Sequence, residues 1–322
     1  MSQRRSLFFA SLARMTGSGI PVVKAGAIIR GHIRDGASHQ AIRALEQGIE
    51  RGESIAEALR PSLTDLEYRM VGAAENGGRL SAGFQHLERY YALLAASKKR
   101  IQRAALYPIA LLHVAAACSG VIAYLSGQPA LPALATSFSI LWAFLLLLWA
   151  GTGMLMNAAA RSMVADGILR ALPVAGKVWK NLALTRWSAV MHFHVISGQK
   201  FSTGLEAAAE ASGSAGLAAA TRRLASRAAS GQSIAEGMLE EHIFPEFFTA
   251  GFATAEASGN LDTETAHQME ACMQAATMDM ELLGEWLPRL IYWAALGFGL
   301  WQALQMIGYI SKFYQGGWIK DL

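Results

Sequence analysis

The chain has 322 residues, with 28 Lys and Arg against 24 Asp and Glu, and charged residues make up only 16% of it, below the ~25% of an average soluble chain. The deficit is local, because no Asp, Glu, Lys or Arg lies between Ala104 and Ala160 or between Leu290 and Ser311. That distribution excludes a wholly soluble globule, a disordered chain and an all-membrane transporter, and leaves a few-span membrane protein with large water-facing parts.

In chain order, Arg4 and Arg5 are followed by only eight uncharged residues before Arg14. This is short for a signal-peptide core, and no small-x-small cleavage site follows, so we expect no cleaved signal. Residues 1–104 read as a first cytoplasmic helical domain. Ser54-x-x-Glu57 and Thr64-x-x-Glu67 are capping boxes, in which hydroxyl and carboxylate satisfy free N–H groups at a helix start. Pro61 sits near a helix boundary. Gly77-Gly78 interrupts the pattern between a helix ending near Glu75 and a long one entering the membrane. Residues 105–126 are transmembrane helix 1, since Leu106 to Leu125 supplies the ~20 apolar residues a span needs.

Residues 127–137, with Pro129 and Pro132, read as a short external loop, and 138–157 as transmembrane helix 2. A second cytoplasmic helical domain occupies 158–288, with capping boxes at Thr203-x-x-Glu206 and Ser233-x-x-Glu236 and a boundary near Pro245. Transmembrane helix 3 is expected at 289–311 and an external tail at 312–322. No stretch alternates and Val and Ile are sparse, so no sheet is expected. The predicted fold is an all-α membrane protein with two repeated cytoplasmic helical bundles and three transmembrane helices. Lys98, Lys99, Arg100 and Arg103 before the first span, and Arg161 and Arg170 after the second, place both domains in the cytoplasm. Parity then leaves the C-terminus periplasmic.

Self-comparison exposes a duplication. Gly52 to Leu59 recurs as Gly231 to Met238, 179 residues on, and Ser18-Gly19 lands on Ser197-Gly198 at the same shift. Glu75-Asn76-Gly77-Gly78-Arg79-Leu80 matches Glu256-Ala257-Ser258-Gly259-Asn260-Leu261 at 181, and Tyr107-Pro108 matches Leu287-Pro288 at 180. The unit is a cytoplasmic domain followed by a span. The second span, without a counterpart, returns the chain to the cytoplasm for the second copy.

These residues carry a resemblance. The Glu-x-[Gly/Ser]-Gly-x-Leu turn, the long helix after it and Tyr107-Pro108 at the membrane resemble the type II secretion system F domain, as does Ser18-Gly19-Ile20-Pro21. Two such domains with three spans resemble the inner-membrane platform proteins of type IV pilus and type II secretion machines. Two departures stand out: Asn76-Gly77 replaces the usual residue followed by Ser or Thr, and Gln199-Lys200 replaces Ile-Pro. The positions carried over as family-motif and interaction candidates are Gly19, Pro21, Glu75, Gly78, Leu80, Tyr107, Pro108, Gly198, Glu256, Gly259, Leu261 and Pro288. The resemblance implies a bacterial inner-membrane scaffold that couples a hexameric cytoplasmic assembly ATPase to pilin or pseudopilin polymerisation. Other inner-membrane assembly proteins and further copies of the chain are implied partners.

The chemistry-bearing residues are few. There is no Gly-x-x-x-x-Gly-Lys-[Ser/Thr] loop, so the chain should not hydrolyse ATP. Catalytic residues, cofactors and metals are not expected. His192 and His194 would point about 200° apart on a helix, poor for sharing a metal and better suited to packing. Glu75 and Glu256 read as carboxylates bonding backbone N–H groups at the turn before the long helix, with a partner or metal site as the alternative. Glu240, Glu241 and Glu246 read as a solvated acidic face, or else as a surface for a partner's basic patch. Cys118 and Cys272 read as buried small hydrophobes. His113, Gln302 and Gln305, with small surfaces at Ala115 to Ala117, Ser119, Gly120, Gly297 and Gly299, read as helix–helix contacts. A transporter or channel subunit with a helix-lined pathway is the competing reading. Residues 1–103 hold 16 Lys/Arg and 9 Asp/Glu, whereas 161–289 hold 10 and 14. The basic first domain suits anionic membrane lipids or an acidic partner. Nucleic acid is not expected, because the basic residues are scattered and not interleaved with aromatics.

Overall fold

The computed structural model describes residues 2–32, 35–125, 127 and 129–318. All regular structure among them is helical. The first copy runs α1 (Ser2–Gly17), α2 (Val22–His32), α3 (Gly36–Glu50), α4 (Ile55–Leu59), a 3-10 turn (Arg60–Ser62), α5 (Asp65–Asn76) and α6 (Leu80–Leu125). Then follow α7 (Ala130–Ala159) and α8 (Met163–Ala171). The second copy is α9 (Ala175–Ile196), α10 (Phe201–Ser212), α11 (Ala215–Ala229), α12 (Ile234–Glu241), α13 (Glu246–Ser258) and α14 (Leu261–Trp318).

The duplication holds at the level of helix starts. Those of α2, α3 and α4 recur 179 residues later as α10, α11 and α12, and those of α5 and α6 recur 181 later as α13 and α14. The two extra residues enter between α12 and α13, where the first copy instead tightens into its 3-10 turn. Three equivalent turns in each copy close on a left-handed glycine, Gly19, Gly52 and Gly78 in the first and Gly198, Gly231 and Gly259 in the second. An L-residue with a side chain pays about 1–2 kcal/mol for that backbone.

The chain divides into two compact units, Met1–Ala96 with Met156–Met280, and Ser97–Leu155 with Glu281–Leu322. The first unit holds one continuous apolar core drawn from both copies. In the first copy Phe9 stacks on Phe84 and Tyr91 at ring distances of 6.1 and 5.9 Å. In the second, Trp187 meets Phe244, Phe248 and Phe252 edge-on at 5.5, 5.6 and 6.2 Å, and its Nε1–H donates to Thr221 Oγ1 at 3.0 Å. Cys272 is buried, and burial pushes its thiol up to about 12.

Of the four capping boxes read from sequence, Thr64 and Glu67 form the full reciprocal box. Ser54 and Ser233 accept from the N–H of Glu57 and Glu236 respectively. Thr203 does not cap: α10 begins two residues earlier, with Lys200 at its N-cap and no side-chain cap bond. Glu67 has a second task. Its side chain is fully buried and pairs with Arg5 from α1. Glu240 and Glu241 are not a free acidic face, since they pair with Arg227 (2.7 Å) and Arg223 of α11.

In the second unit a small core gathers Leu112 and Ala116 of α6, Leu141 of α7 and Ala295 of α14. Gly120 lets α7 approach closely, since an added Cβ would lie 2.5 Å from Leu134. Gly297 and Gly299 do not act this way, because nothing lies within 4 Å of a Cβ at either. Cys118 is exposed, not buried. His113 packs against Phe138 and Trp142 at 6.0 and 5.8 Å, and its Nδ1 meets Ile109 O at 2.8 Å. The side chains of Gln302 and Gln305 lie outside the described residues. α7 begins at Ala130 with Pro132 in its first turn, where a missing N–H costs nothing, so helix occupies most of the stretch read as external loop. Among the described residues, two helices are long and apolar enough to cross a membrane, Leu80–Tyr124 and Ala130–Ala159.

Arg5 and Glu67 correspond by the repeat shifts to Leu184 and Phe248, both buried. The second copy thus places apolar residues where the first buries an ion pair. Removing one partner of such a pair strands the other charge. Arg5→Ala should cost about 3–5 kcal/mol, and Arg5→Leu with Glu67→Phe should recover most of it. Chemical unfolding of the full chain in detergent measures both.

Candidate functional site at the turn before each long helix

Glu75 lies in the last turn of α5. Its carboxylate accepts from the N–H of Ile55 at 2.7 Å and of Ala56 at 3.0 Å. Glu256, at the end of α13, accepts from Ile234 N–H at 2.7 Å, Ala235 N–H at 3.2 Å and the Ser233 hydroxyl at 2.8 Å. The sequence expectation of a carboxylate on free N–H groups is realised on a different helix. The groups belong to the short helices α4 and α12, not to the long helix that follows. The negative charge sits at the positive end of each short helix, and the bond fixes that helix to the segment preceding the turn.

The turns themselves are closed by backbone. Gly78 N–H donates to Glu75 O at 3.0 Å and Arg79 N–H to Ala74 O at 2.7 Å, the paired bonds of a Schellman turn. Gly259 N–H donates to Ala255 O at 2.8 Å. Both glycines are left-handed, with φ of 65° and 75°, and an added Cβ at either would meet nothing within 4 Å. They are needed for backbone angle, not for room. Leu80 and Leu261 then open α6 and α14, each packed against the core. Gly19 and Gly198 close the earlier turns with φ of 79° and 67°. Pro21 precedes α2 and its carbonyl accepts from Ala25 N–H at 2.9 Å.

The two copies meet asymmetrically within the first unit. A Cβ at Gly77 would lie 3.0 Å from Ser197 Cβ, so the departure to Asn76-Gly77 makes room for the early turn of the second copy. The counterparts Ser258 and Ser18 are both exposed. Arg69 pairs with Glu210 of α10. His86 is buried against the edge of Phe193 and is pushed down to about 3 by that burial, whereas its counterpart His267 is exposed. Between the copies lies a cleft of ≈ 320 Å³ whose lining includes Glu57, Tyr68, Arg69, His194, Thr203 and Glu210.

His192 and His194 share no ligand. His192 Nδ1 meets Thr265 Oγ1 at 3.2 Å and His194 Nδ1 meets Val190 O at 2.9 Å. Burial lowers the pKa of both. Among the described residues no cluster of three metal-ligating side chains is present. Tyr107, Pro108 and Pro288 lie far along α6 and α14, in the second unit and away from the turns. Tyr107 is exposed, as suits an aromatic at a membrane interface, and both prolines lie inside unbroken helices. Sequence reading missed Arg5, because it treated Glu67 only as a cap. The signal was available: Arg5 and Glu67 both turn apolar in the second copy.

Two copies of one helical unit, each with a carboxylate-braced turn ahead of a long helix with an apolar far half, define a duplicated membrane-anchored scaffold. The sequence matches the family Type II secretion system (T2SS), protein F, over residues 8–125 and 187–307, and the chain belongs to that family. It is 26% identical over 306 residues to the type 4 fimbrial assembly protein PilC of Pseudomonas putida, covering 86% of this chain and 76% of that protein. It is 24% identical over 288 residues to the type IV pilus assembly protein PilC of Myxococcus xanthus, covering 80% and 67%. To the type II secretion system protein F of Aeromonas hydrophila it is 26% identical over 289 residues, covering 80% and 73%.

Replacing Glu75 or Glu256 by Ala should lower the unfolding free energy by about 2–4 kcal/mol, and by Gln about half as much, since one acceptor oxygen remains. Equal losses in the two copies, read by chemical unfolding in detergent, are expected. A loss within experimental error for either alanine variant would show that its carboxylate is a bystander.

Proposed function

We propose that this chain, a non-enzymatic assembly platform protein of the type IV pilus and type II secretion class, couples a cytoplasmic assembly ATPase to pilin or pseudopilin subunits at the bacterial inner membrane. Both F-type copies face the cytoplasm, three spans cross the bilayer, and the C-terminus is periplasmic. The third span is the apolar part of α14. The positive residues around the first two apolar helices support this orientation.

One observation carries the coupling: α6 and α14 each run unbroken from a braced turn into an apolar stretch. An α-helix satisfies its own backbone, so one element can serve as bundle helix and span without a joint. A shape change imposed on the cytoplasmic copies by a hexameric ATPase then moves the membrane segment bodily. Further copies of the chain and other inner-membrane assembly proteins complete the machine. The channel reading gains nothing from His113, whose ring is held between Phe138, Trp142 and its own helix.

Inserting four glycines after Ser97 breaks α6 while leaving both ends intact. Assembly of pili or secretion should be abolished, with membrane insertion and co-purification of the cognate ATPase unchanged. Normal assembly in this variant would refute coupling through the helix.

A further inference from the structure

The segment between the two family-matched stretches contains α8, and α8 is built inside out. Its charged residues point into the protein. Asp166 is 1% exposed and accepts from Trp179 Nε1–H at 2.7 Å, Ser214 Oγ–H at 3.0 Å and Gly216 N–H at 3.2 Å. Arg170 pairs with Asp166 at 2.9 Å and donates to Ser214 Oγ at 3.1 Å. Leu169 is buried on the same side. At 100° per residue, the other half of the helix carries Met163, Val164, Gly167, Ile168 and Ala171, with Leu172 just past its end, and all six are exposed. Met163, Val164, Ile168 and Leu172 are 59%, 74%, 54% and 42% exposed. No polar side chain interrupts that face.

A helix with its polar groups tied inward and an apolar outer half is not made for water. The occupant of the outer half follows from the chain. α7 ends at Ala159 and α8 begins at Met163, so at most about 14 Å of backbone separates them. Arg161 and Lys177, on either side of α8, are exposed cations suited to anionic headgroups. We infer that α8 lies in the membrane–water interface, with Val164, Ile168 and Leu172 among the lipid acyl chains just past the end of the second span. An interfacial helix of this kind sits about 5–10 Å into the headgroup and acyl boundary. Asp166 then acts as a bracket: its bonds to α9 and to the start of α11 fix the second cytoplasmic copy to the bilayer surface. The inference rests on α7 crossing the membrane and is independent of which ATPase or pilin the machine uses.

The test uses the full chain carrying Cys118→Ser, so that only buried Cys272 remains native. Single cysteines are introduced as Val164→Cys, Ile168→Cys, Leu147→Cys in α7 and Glu236→Cys in α12, and are labelled with an environment-sensitive fluorophore. The protein is reconstituted into phosphatidylethanolamine–phosphatidylglycerol vesicles with plain or brominated acyl chains. Labels at 164 and 168 should lose intensity by at least about twofold in the brominated vesicles, as at 147, while the label at 236 responds only to aqueous iodide. Quenching at 147 with iodide access at 164 and 168 would place the face in water and overturn the inference. Labels at 164 and 168 shielded from both quenchers would mean a protein covers the face, which overturns it equally. Absence of bromide quenching at 147 would remove the span itself and the inference with it.

Discussion

The structure depends on a left-handed turn that starts a helix and on that helix never stopping. Gly78 and Gly259 reverse the chain at the end of α5 and α13, and from the next residues but one the backbone bonds to itself through α6 and α14. Such a helix can leave a water-facing bundle and enter lipid without exposing an unpaired N–H or C=O. Everything upstream of the turn fixes where the long helix starts. Glu75 and Glu256 hold the short helices to the turn from one side, and the apolar core holds Leu80 and Leu261 from the other.

Duplication supplied two such units, and their differences describe how they came to be used. The copies share five helix starts and three glycine turns, yet they fill their interiors differently. The first stacks Phe9, Phe84 and Tyr91 and buries Arg5 against Glu67, whereas the second builds around Trp187. They also meet asymmetrically at these turns. Gly77 lacks the side chain that its counterpart Ser258 carries, and His86 is buried where His267 is exposed. Arg89 nonetheless meets Glu270, its own repeat counterpart, at 3.1 Å, and Arg100 meets its counterpart Glu281 at 3.3 Å. Opposite charges at equivalent positions are something a duplicated chain can evolve and an identical pair cannot. Exposed pairs of this kind add little stability.

Much of this was legible in the sequence because it is periodic or local. Charge-free runs marked the apolar segments, glycines and capping hydroxyls marked the turns, and the repeat shift aligned the copies before any coordinate. The glutamates were read as carboxylates on backbone N–H groups, but assigned to the nearest helix. Their true partners lie 19–22 residues upstream, a distance that only the folded hairpin of helices closes. Thr203 looked like a cap because spacing alone cannot say where a helix begins. Cys118 looked buried because an apolar helix in lipid needs no protein cover. The inverted face of α8 was invisible for a similar reason: a period in the sequence shows that two faces differ, not which one meets the protein.

Coupling of this kind depends on helix continuity across the junction between each helical copy and its apolar segment. Hydrogen–deuterium exchange on the full chain in lipid nanodiscs measures it directly, residue by residue, over 97–107 of α6 and 278–288 of α14. Uniformly slow exchange through both stretches is the predicted result. A fast-exchanging gap in either, next to protected helix on both sides, would mean the bundles are flexibly tethered and would contradict the account.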